Sequence, residues 1–534
     1  MKKNNSTMAG MPMSSFNRRQ FLLGAMSGFS VIGAGGCASV FGREKIRLAV
    51  VGVMGKGLTD WLPMVRSGKA EVVAFCDADA NYRLEAARLV KEHAGEWGVA
   101  IDVMKVPFYT DYRRMLDDDA VLQIDAMTIS TPDHMHAAIA VQAMEMGIHV
   151  YVQKPLVRTL WEAKRFYDVA RASKVVTQMG NQGSAGDGFR RNVEIVRSGI
   201  LGEVREVHVW TNRPVWPQGF AARDAAMKRP EAAPPKGLDW DSWLGVAALR
   251  PYRKDYEPGS SASRFHPGVY HRFNWRGFFD FGAGAFGDMA CHTMNLPFRG
   301  LELGEVLEAE GSDLVEVNDV AFPTRSTVRL VYAARDSKFR PGVKLPAVTL
   351  YWHDGDQQCN GEAIFADKMR QIVAMPAYAG KVPRTGCLLI GSRGILCSCA
   401  DYGQQAFFAF NDEEVARDTT KHEACKAVSA SIPRRADRPA GGMTAASGAA
   451  ALSADGHYVE FLDAIAGNGP HFAETGSRCY SDVEFSVPMM EGILVGTVAQ
   501  RVPGVLKWNS ASQEFANDAA NRLVRPFVRS GWRI

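Results

Sequence analysis

The chain lacks most of what would mark a membrane, fibrous or disordered protein. Beyond its first forty positions no run of about 18 apolar residues occurs, which excludes a multi-span membrane protein. Apolar residues make up 46% and charged residues 22% of the 534. That is the balance of an ordinary globular chain and excludes a largely disordered one or a coiled coil. No internal repeat is visible. Cysteine is sparse at nine, and no C-x-x-C pair has zinc spacing, so no metal is expected. The net charge is only +4, and it is localised. Residues 1–36 hold Lys2, Lys3, Arg18 and Arg19 and no acid; with those four set aside, basic and acidic residues are equal in number. A neutral body gives no electrostatic case for nucleic acid. What is abundant is length, enough for two or three domains, and glycine, 51 in all.

The basic start has a pattern. Arg18-Arg19 precedes an apolar run rich in Gly, Ala and Ser from Phe21 to Gly36. This resembles a twin-arginine export signal, which implies a periplasmic protein or one anchored facing the periplasm. Ala34-Gly35-Gly36-Cys37 resembles a lipoprotein cleavage site, with lipidated Cys37 as the new N-terminus; simple cleavage nearby is the alternative. Residues 1–36 are therefore read as an export signal.

After it, Ile46 to Val53 reads as a short apolar strand running into Gly52-Val53-Met54-Gly55-Lys56-Gly57. A helical pattern follows from Leu58 to Arg66, then a second strand, Glu71 to Cys76, ending at the acid Asp77. Strand, glycine turn, helix, strand and acid form a dinucleotide-binding unit. Gly52 makes the tight turn, Gly55 and Gly57 allow close approach to a pyrophosphate, and the helix N-terminus offers free N–H groups. Met54 occupies the middle glycine position of the usual pattern. Asp77, 20 residues beyond Gly57, can accept both ribose hydroxyls of NAD and would repel a 2′-phosphate. Strand and helix patterns then alternate: a helix from Tyr82 to His93, a strand at Val103–Val106, a helix near Asp111–Asp118, a strand at Ile124–Ser130 and a helix from Ala137 to Met146. The expected fold is α/β, with a doubly wound parallel sheet over residues 45–177 and ligands at the C-terminal strand ends.

Two strand-end motifs complete that unit: Thr131-Pro132-Asp133-His134-Met135-His136, and Gln153-Lys154-Pro155. With them the chain resembles the Gfo/Idh/MocA oxidoreductases, NAD(P)-dependent sugar and cyclitol dehydrogenases with a second α/β domain. Their usual Glu-Lys-Pro is Gln-Lys-Pro here. Downstream, Asp288 and His292 stand four apart on a helical segment and so share a face, matching the family's D-x-x-x-H pattern. Hydride transfer from a carbinol needs a base for the hydroxyl proton and a fixed nicotinamide. The resemblance implies Lys154 and His292 as the proton-handling pair, the immediate base left open, with Asp288 orienting His292 or holding an adjacent hydroxyl. It also places Thr131, Pro132, His134, His136, Lys154 and Gln182 beside the cofactor.

Residues 178–534 are expected to form the substrate and oligomerisation domain, with a large open, mostly antiparallel sheet. Asn181, Arg213 and Trp216 are candidate substrate contacts along with Lys154, Asp288 and His292, since donors beside flat apolar faces suit sugar rings. A long Pro-, Ala-, Arg- and Tyr-rich excursion runs over 217–270, and His266, Tyr270, His271 and Trp275, in it or just after it, are further candidates. Residues 426–454 read as an exposed loop. Family resemblance implies a homo-oligomer. The expected activity is that of an exported NAD-dependent dehydrogenase acting on a sugar, glycoside or cyclitol. The alternative is an NAD-dependent glycosidase of the same superfamily, which oxidises, eliminates, hydrates and reduces in turn.

Overall fold

The computed structural model describes residues 44–355, 365–434 and 455–534, so the twin-arginine motif, Cys37 and most of the 426–454 segment lie outside the described residues. β1 (Ile46–Val51) carries Leu48, Ala49 and Val50, all fully buried. A strand covered on both faces reads as a continuous apolar run rather than an alternation. It pairs in parallel with β2 (Ala70–Cys76) and β4 (Ala126–Ile129). β3 (Phe108–Tyr109), β5 (His149–Gln153) and β6 (Thr177–Gly180) complete a six-stranded sheet, ordered β3-β2-β1-β4-β5-β6 and parallel throughout. Strand order reverses between β1 and β4, and such a switch point opens a crevice at the carboxyl ends of the strands.

The crossovers are α1 (Lys56–Arg66), α2 (Asn81–Trp97), α3 (Asp133–Glu145) and α4 (Leu160–Ser173). α4 starts at a capping box in which the Thr159 side chain accepts the Glu162 N–H and the Glu162 carboxyl accepts the Thr159 N–H. Such a cap contributes about 1 kcal/mol and fixes the chain just after Lys154-Pro155. Two expectations are corrected. Val103–Lys105 is a single 3₁₀ turn, because the Asp102 carboxyl accepts the Met104 N–H at 3.1 Å; the strand forms two residues later, where Phe108 and Tyr109 pair with Phe75 and Cys76. The helix expected from Ala137 begins at Asp133 and is buried on every side through Met144.

After α5 (Asp187–Arg197) the chain builds the second sheet. Its strands are β7 (Val204–Trp210), β8 (Val306–Val315), β9 (Arg325–Tyr332), β10 (Val348–Asp354), β11 (Gly386–Gly391), β12 (Gly394–Ser398), β13 (Phe407–Phe410), β14 (Arg417–Asp418), β15 (Leu506–Asn509) and β16 (Glu514–Phe515). The order is β14-β13-β12-β11-β7-β10-β9-β8-β15-β16, with β7–β10 the parallel pairing. The architecture is therefore α/β, with a parallel sheet followed by a larger, mostly antiparallel one. α6 (Gly284–Thr293) packs against this sheet, while α7 (Asp455–Ile465) returns to α1. α8 (Val483–Ala499) touches α4, β6, α6, β8 and β9. One continuous apolar core consequently runs from Val150 and Met179 to Leu330 and Val495. Among the described residues, no helix is long and apolar enough to cross a membrane.

Candidate active site

The crevice at the strand ends is a cleft of about 840 Å³. Its floor is the glycine turn. Gly52 has φ +84°, and a Cβ there would lie 2.5 Å from the Ser130 carbonyl oxygen. Gly57 packs still closer: a Cβ would meet the Gly52 carbonyl oxygen at 1.8 Å. Gly55 differs. It precedes α1 with φ +61° and has open space where a Cβ would stand, leaving the helix N-terminus accessible. Asp77 closes this end. Its carboxyl accepts the Val53 N–H at 2.8 Å and the Asp79 N–H at 3.1 Å, and burial pushes it up to about 7.

Beneath the turn lies a buried polar node that no single motif announces. Asp60, one turn beyond Lys56 on α1, is fully buried and accepts bonds from four side chains. Ser130 Oγ donates at 2.8 Å, Tyr458 OH from α7 at 2.9 Å, and Gln153 Nε2 to both oxygens at 3.1 and 2.9 Å. Lys56 Nζ pairs with it as well. The node joins α1, the ends of β4 and β5, and α7, which fixes the strand ends that carry Thr131 and Lys154. It also explains Gln153: beside Asp60 an amide can donate where a carboxylate could not.

The chemistry-bearing end lies across the cleft. Lys154 Nζ stands 3.0 Å from Asp288 Oδ1 and donates to the Asp288 carbonyl oxygen at 3.0 Å. Arg276 Nε reaches the same Oδ1 at 3.3 Å. Burial raises the Asp288 carboxyl, but the Lys154 and Arg276 charges outweigh that and hold it below the ordinary range. His292, one turn on, has a buried Nδ1 without a partner among the described residues and sits edge-on to Tyr402 at 4.7 Å. Burial, reinforced by the Lys154 charge, drives its pKa well below the usual histidine value, so the ring is neutral at pH 7. Asp133, at the start of α3, lines the same wall with an unpartnered buried oxygen. Burial and then the Asp288 charge push its carboxyl well up, which favours its protonated form.

The cleft brings together Gly52, Met54, Gly55, Lys56 and Asp77 from the turn, and Thr131, Pro132, Lys154 and Gln182 from the strand ends. Arg213, Trp216, Asp288 and His292 face them from the second half, as do His266, His271 and Trp275. Six expected contacts do not line it. Val53 commits its N–H to Asp77, and Gly57 is pressed on Gly52. Asn181 is fully buried behind Gln182. His134 is carried inward by the early start of α3: its Nε2 meets the Trp243 carbonyl at 3.1 Å and its ring packs on Phe281. His136 lies between the carbonyls of Thr131 (2.9 Å) and Pro155 (2.8 Å), joining the two loops rather than facing a cofactor. Tyr270 also lies outside the cleft lining. Asp288 makes no hydrogen bond to His292 among those described; it is held by Lys154 and Arg276 instead. Arg276, Asp60 and Tyr402 carry no local motif, and Asp133 stands in the Thr131–His136 motif without a role of its own. The i, i+4 spacing of Lys56 and Asp60 was the available signal for one of them.

Residues 46–181 match the model of the oxidoreductase family, NAD-binding Rossmann fold (GFO_IDH_MocA), and this segment is an NAD-binding Rossmann unit. The open approach at Gly55, the Asp77 carboxyl and the unpartnered Thr131 hydroxyl suit such a dinucleotide. Levoglucosan dehydrogenase of Pseudarthrobacter phenanthrenivorans is 40% identical over 67 residues, 12% of this chain and 16% of that one. Glycosyl hydrolase family 109 protein 2 of Akkermansia muciniphila is 28% identical over 160 residues, 30% of this chain and 32% of that one. The chain therefore aligns with well under half the length of these relatives. An inositol dehydrogenase homolog from Azotobacter vinelandii, solved with NADH and myo-inositol, superposes with TM-score 0.52 at 17% identity, covering 87% of this chain and 98% of that one. A WlbA dehydrogenase from Chromobacterium violaceum, solved with NADH and UDP-GlcNAcA, gives 0.50 at 14% identity over 88% and 97%. These two likenesses establish a shared fold.

Proposed function

We propose, from the match of residues 46–181 to the NAD-binding Rossmann oxidoreductase model, that the protein oxidises a hydroxyl of a sugar, glycoside or cyclitol. The supporting observation is the meeting of Lys154, Asp288 and His292 in the cleft that also holds the glycine turn and Asp77. When bound, NAD supplies the hydride acceptor. The chain's own residues do the rest. Asp77 would receive the ribose hydroxyls, and the free N–H groups at the α1 N-terminus would hold the pyrophosphate. Lys154, fixed by Asp288, donates a hydrogen bond to the reacting oxygen and stabilises the alkoxide that develops there. Neutral His292 takes the hydroxyl proton at its free ring nitrogen, and the Asp288 charge nearby favours the imidazolium that results. Arg213 and Trp216 supply a donor and an apolar face for the ring. The Arg18-Arg19 signal supports export before this activity is used.

A second reading has its own support in the glycosyl hydrolase family 109 relatives, whose similarity covers 30% of the chain. There the same oxidation would be transient and would end in release of an aglycone. Both readings are tested with NAD-loaded protein against monosaccharides, cyclitols and aryl glycosides, following nicotinamide absorbance and product masses. A keto-product with reduced cofactor is the expected result. Released aglycone with no net cofactor change would move the protein to the glycosidase class, and neither product would defeat both.

A further inference from the structure

A second cavity, of about 420 Å³, shares no lining residue with the cleft. It lies where the loop before α4, the end of α8, the 249–253 segment and the C-terminal segment converge. Six arginines line it: Arg158, Arg250, Arg253, Arg501, Arg522 and Arg525. Two lining carboxylates, Asp280 and Asp319, oppose them, and Arg253 pairs with Glu231 at 3.7 Å beyond the lining, so three positive charges are left unbalanced. Asp280 is already committed to Arg250. Arg501 and Arg525 lie over the faces of Phe279 (3.8 Å) and Trp161 (4.7 Å), and neither they nor Arg522 has a carboxylate partner among the described residues. The buried Nε atoms of Arg158, Arg250 and Arg253 also lack acceptors among the described residues. Burial, then the Arg158 charge, lowers the Arg501 pKa to about 10. Clustered guanidinium groups with unmet donors and aromatic backing form a receptor for a tetrahedral oxyanion, which accepts paired N–H bonds. The rim adds a second feature. Met227, Leu249 and Phe527 are 65%, 70% and 64% exposed at its edge, apolar surface beside a polar pocket.

We propose that this cavity binds a phosphate or sulfate group carried as a monoester, the arginines holding the oxyanion and the apolar rim covering its organic body. The full chain, saturated with NADH so that the pyrophosphate site is filled, is titrated calorimetrically at constant ionic strength. The probes are inorganic phosphate, inorganic sulfate, glucose 6-phosphate and glucose 6-sulfate, with chloride as control. The esters are expected to bind one per chain and more tightly than the free ions; equal affinity would identify the free oxyanion as the source of the same chemistry. Replacing Arg522 and Arg525, both exposed, in R522Q/R525Q is expected to weaken binding about tenfold or more, the loss of charge-assisted hydrogen bonds, while NADH affinity stays unchanged. Phe527→Ser should weaken the esters and leave the inorganic ions alone. Absence of saturable binding beyond the chloride control overturns the proposal. So does affinity that both variants leave intact, or the finding that the cavity is instead covered by a second copy, seen as a dimer by light scattering that R522Q/R525Q dissociates.

Discussion

Gln153→Glu probes the polar node under the glycine turn, and its cost can be worked from the geometry. Gln153 Nε2 donates to both Asp60 oxygens, at 3.1 and 2.9 Å, inside a site with no exposure at Asp60. Glutamate removes the donor and sets a second carboxylate about 3 Å from the first. At an effective dielectric of about 20 the repulsion is roughly 5 kcal/mol. The protein can escape by protonating the introduced carboxylate, whose hydroxyl then donates in place of the amide. Holding a proton on a group of ordinary pKa about 4.3 costs roughly 3.7 kcal/mol at pH 7 and roughly 1 kcal/mol at pH 5. Protonation is the cheaper route, so roughly 3.7 kcal/mol is the expected loss at neutral pH. The sign follows from a folded-state pKa raised above the unfolded one. The deficit is absent below about pH 4.3 and grows as pH rises towards the folded value. Thermal melts of the variant and parent at pH 5 and pH 7 measure it. The melting temperature should fall markedly at pH 7 and by less than half as much at pH 5. Asp60→Asn in the same chain should restore most of the loss. A difference that ignores pH, or that Asp60→Asn does not reduce, would refute the role given to Gln153.

Other consequences follow from the same geometry. Lys154→Ala and His292→Ala should each lower turnover by about 10²–10⁴ while NAD affinity is kept; because His292 is neutral well below its usual range, the parent's oxidation rate should show no acid limb near pH 6.5, and such a limb would count against it as the base. Asp77→Ser should weaken NAD by roughly 1.5–3 kcal/mol and narrow its advantage over NADP. With Asp77 pushed up to about 7 in the free protein, parent NAD binding should tighten from pH 6 to pH 8 and release a proton, visible as buffer-dependent heat in calorimetry. Gly57→Ala drives a Cβ into the Gly52 carbonyl and should abolish NAD binding, whereas Gly55→Ala meets nothing within 4 Å and costs only the strain of its φ +61°, ψ −119° backbone, about 1–3 kcal/mol; equal effects would contradict the packing.

The nucleotide turn was legible because its parts are local: Gly52, Gly57 and Asp77 take their roles from one strand–helix–strand unit. Lys154 and His292 were legible through motifs at a strand end and on a helix face. What lies between them was not. Asp288 is claimed by Lys154, 134 residues away in sequence, and by Arg276, so its helical neighbour His292 is left without it. Spacing describes which residues share a face, not which distant charge arrives there first. His134 and His136 were misplaced for a different reason. The apolar period of α3 is clear only from Ala137, but the helix starts at Asp133, and that earlier turn carries both rings into the protein. The Asp60 node and the arginine cavity draw on three or more separated segments each, where no local pattern gives a signal.

The two readings of the activity share His292 and Lys154, so variants of that pair cannot separate them. Asp133 can. Oxidation of a carbinol moves one proton and one hydride and leaves the neighbouring carbons untouched. Eliminating an aglycone beside the new ketone also removes a proton from the adjacent carbon and delivers one to the departing oxygen, and that delivery needs an acid protonated at pH 7. Asp133 is the candidate: burial, then the Asp288 charge, favours its protonated form, and its buried Oδ2 has no partner among the described residues. Asparagine keeps the shape and can still donate a hydrogen bond but cannot give up a proton. In a glycosidase, Asp133→Asn should slow release of an alkyl aglycone about 10²–10³-fold and largely spare nitrophenol, which leaves without help. In a dehydrogenase the same variant should change keto-product formation by only a few-fold with every substrate. Loss of activity that is equal for alkyl and nitrophenyl glycosides would show that Asp133 supports the cleft without acting as an acid in it.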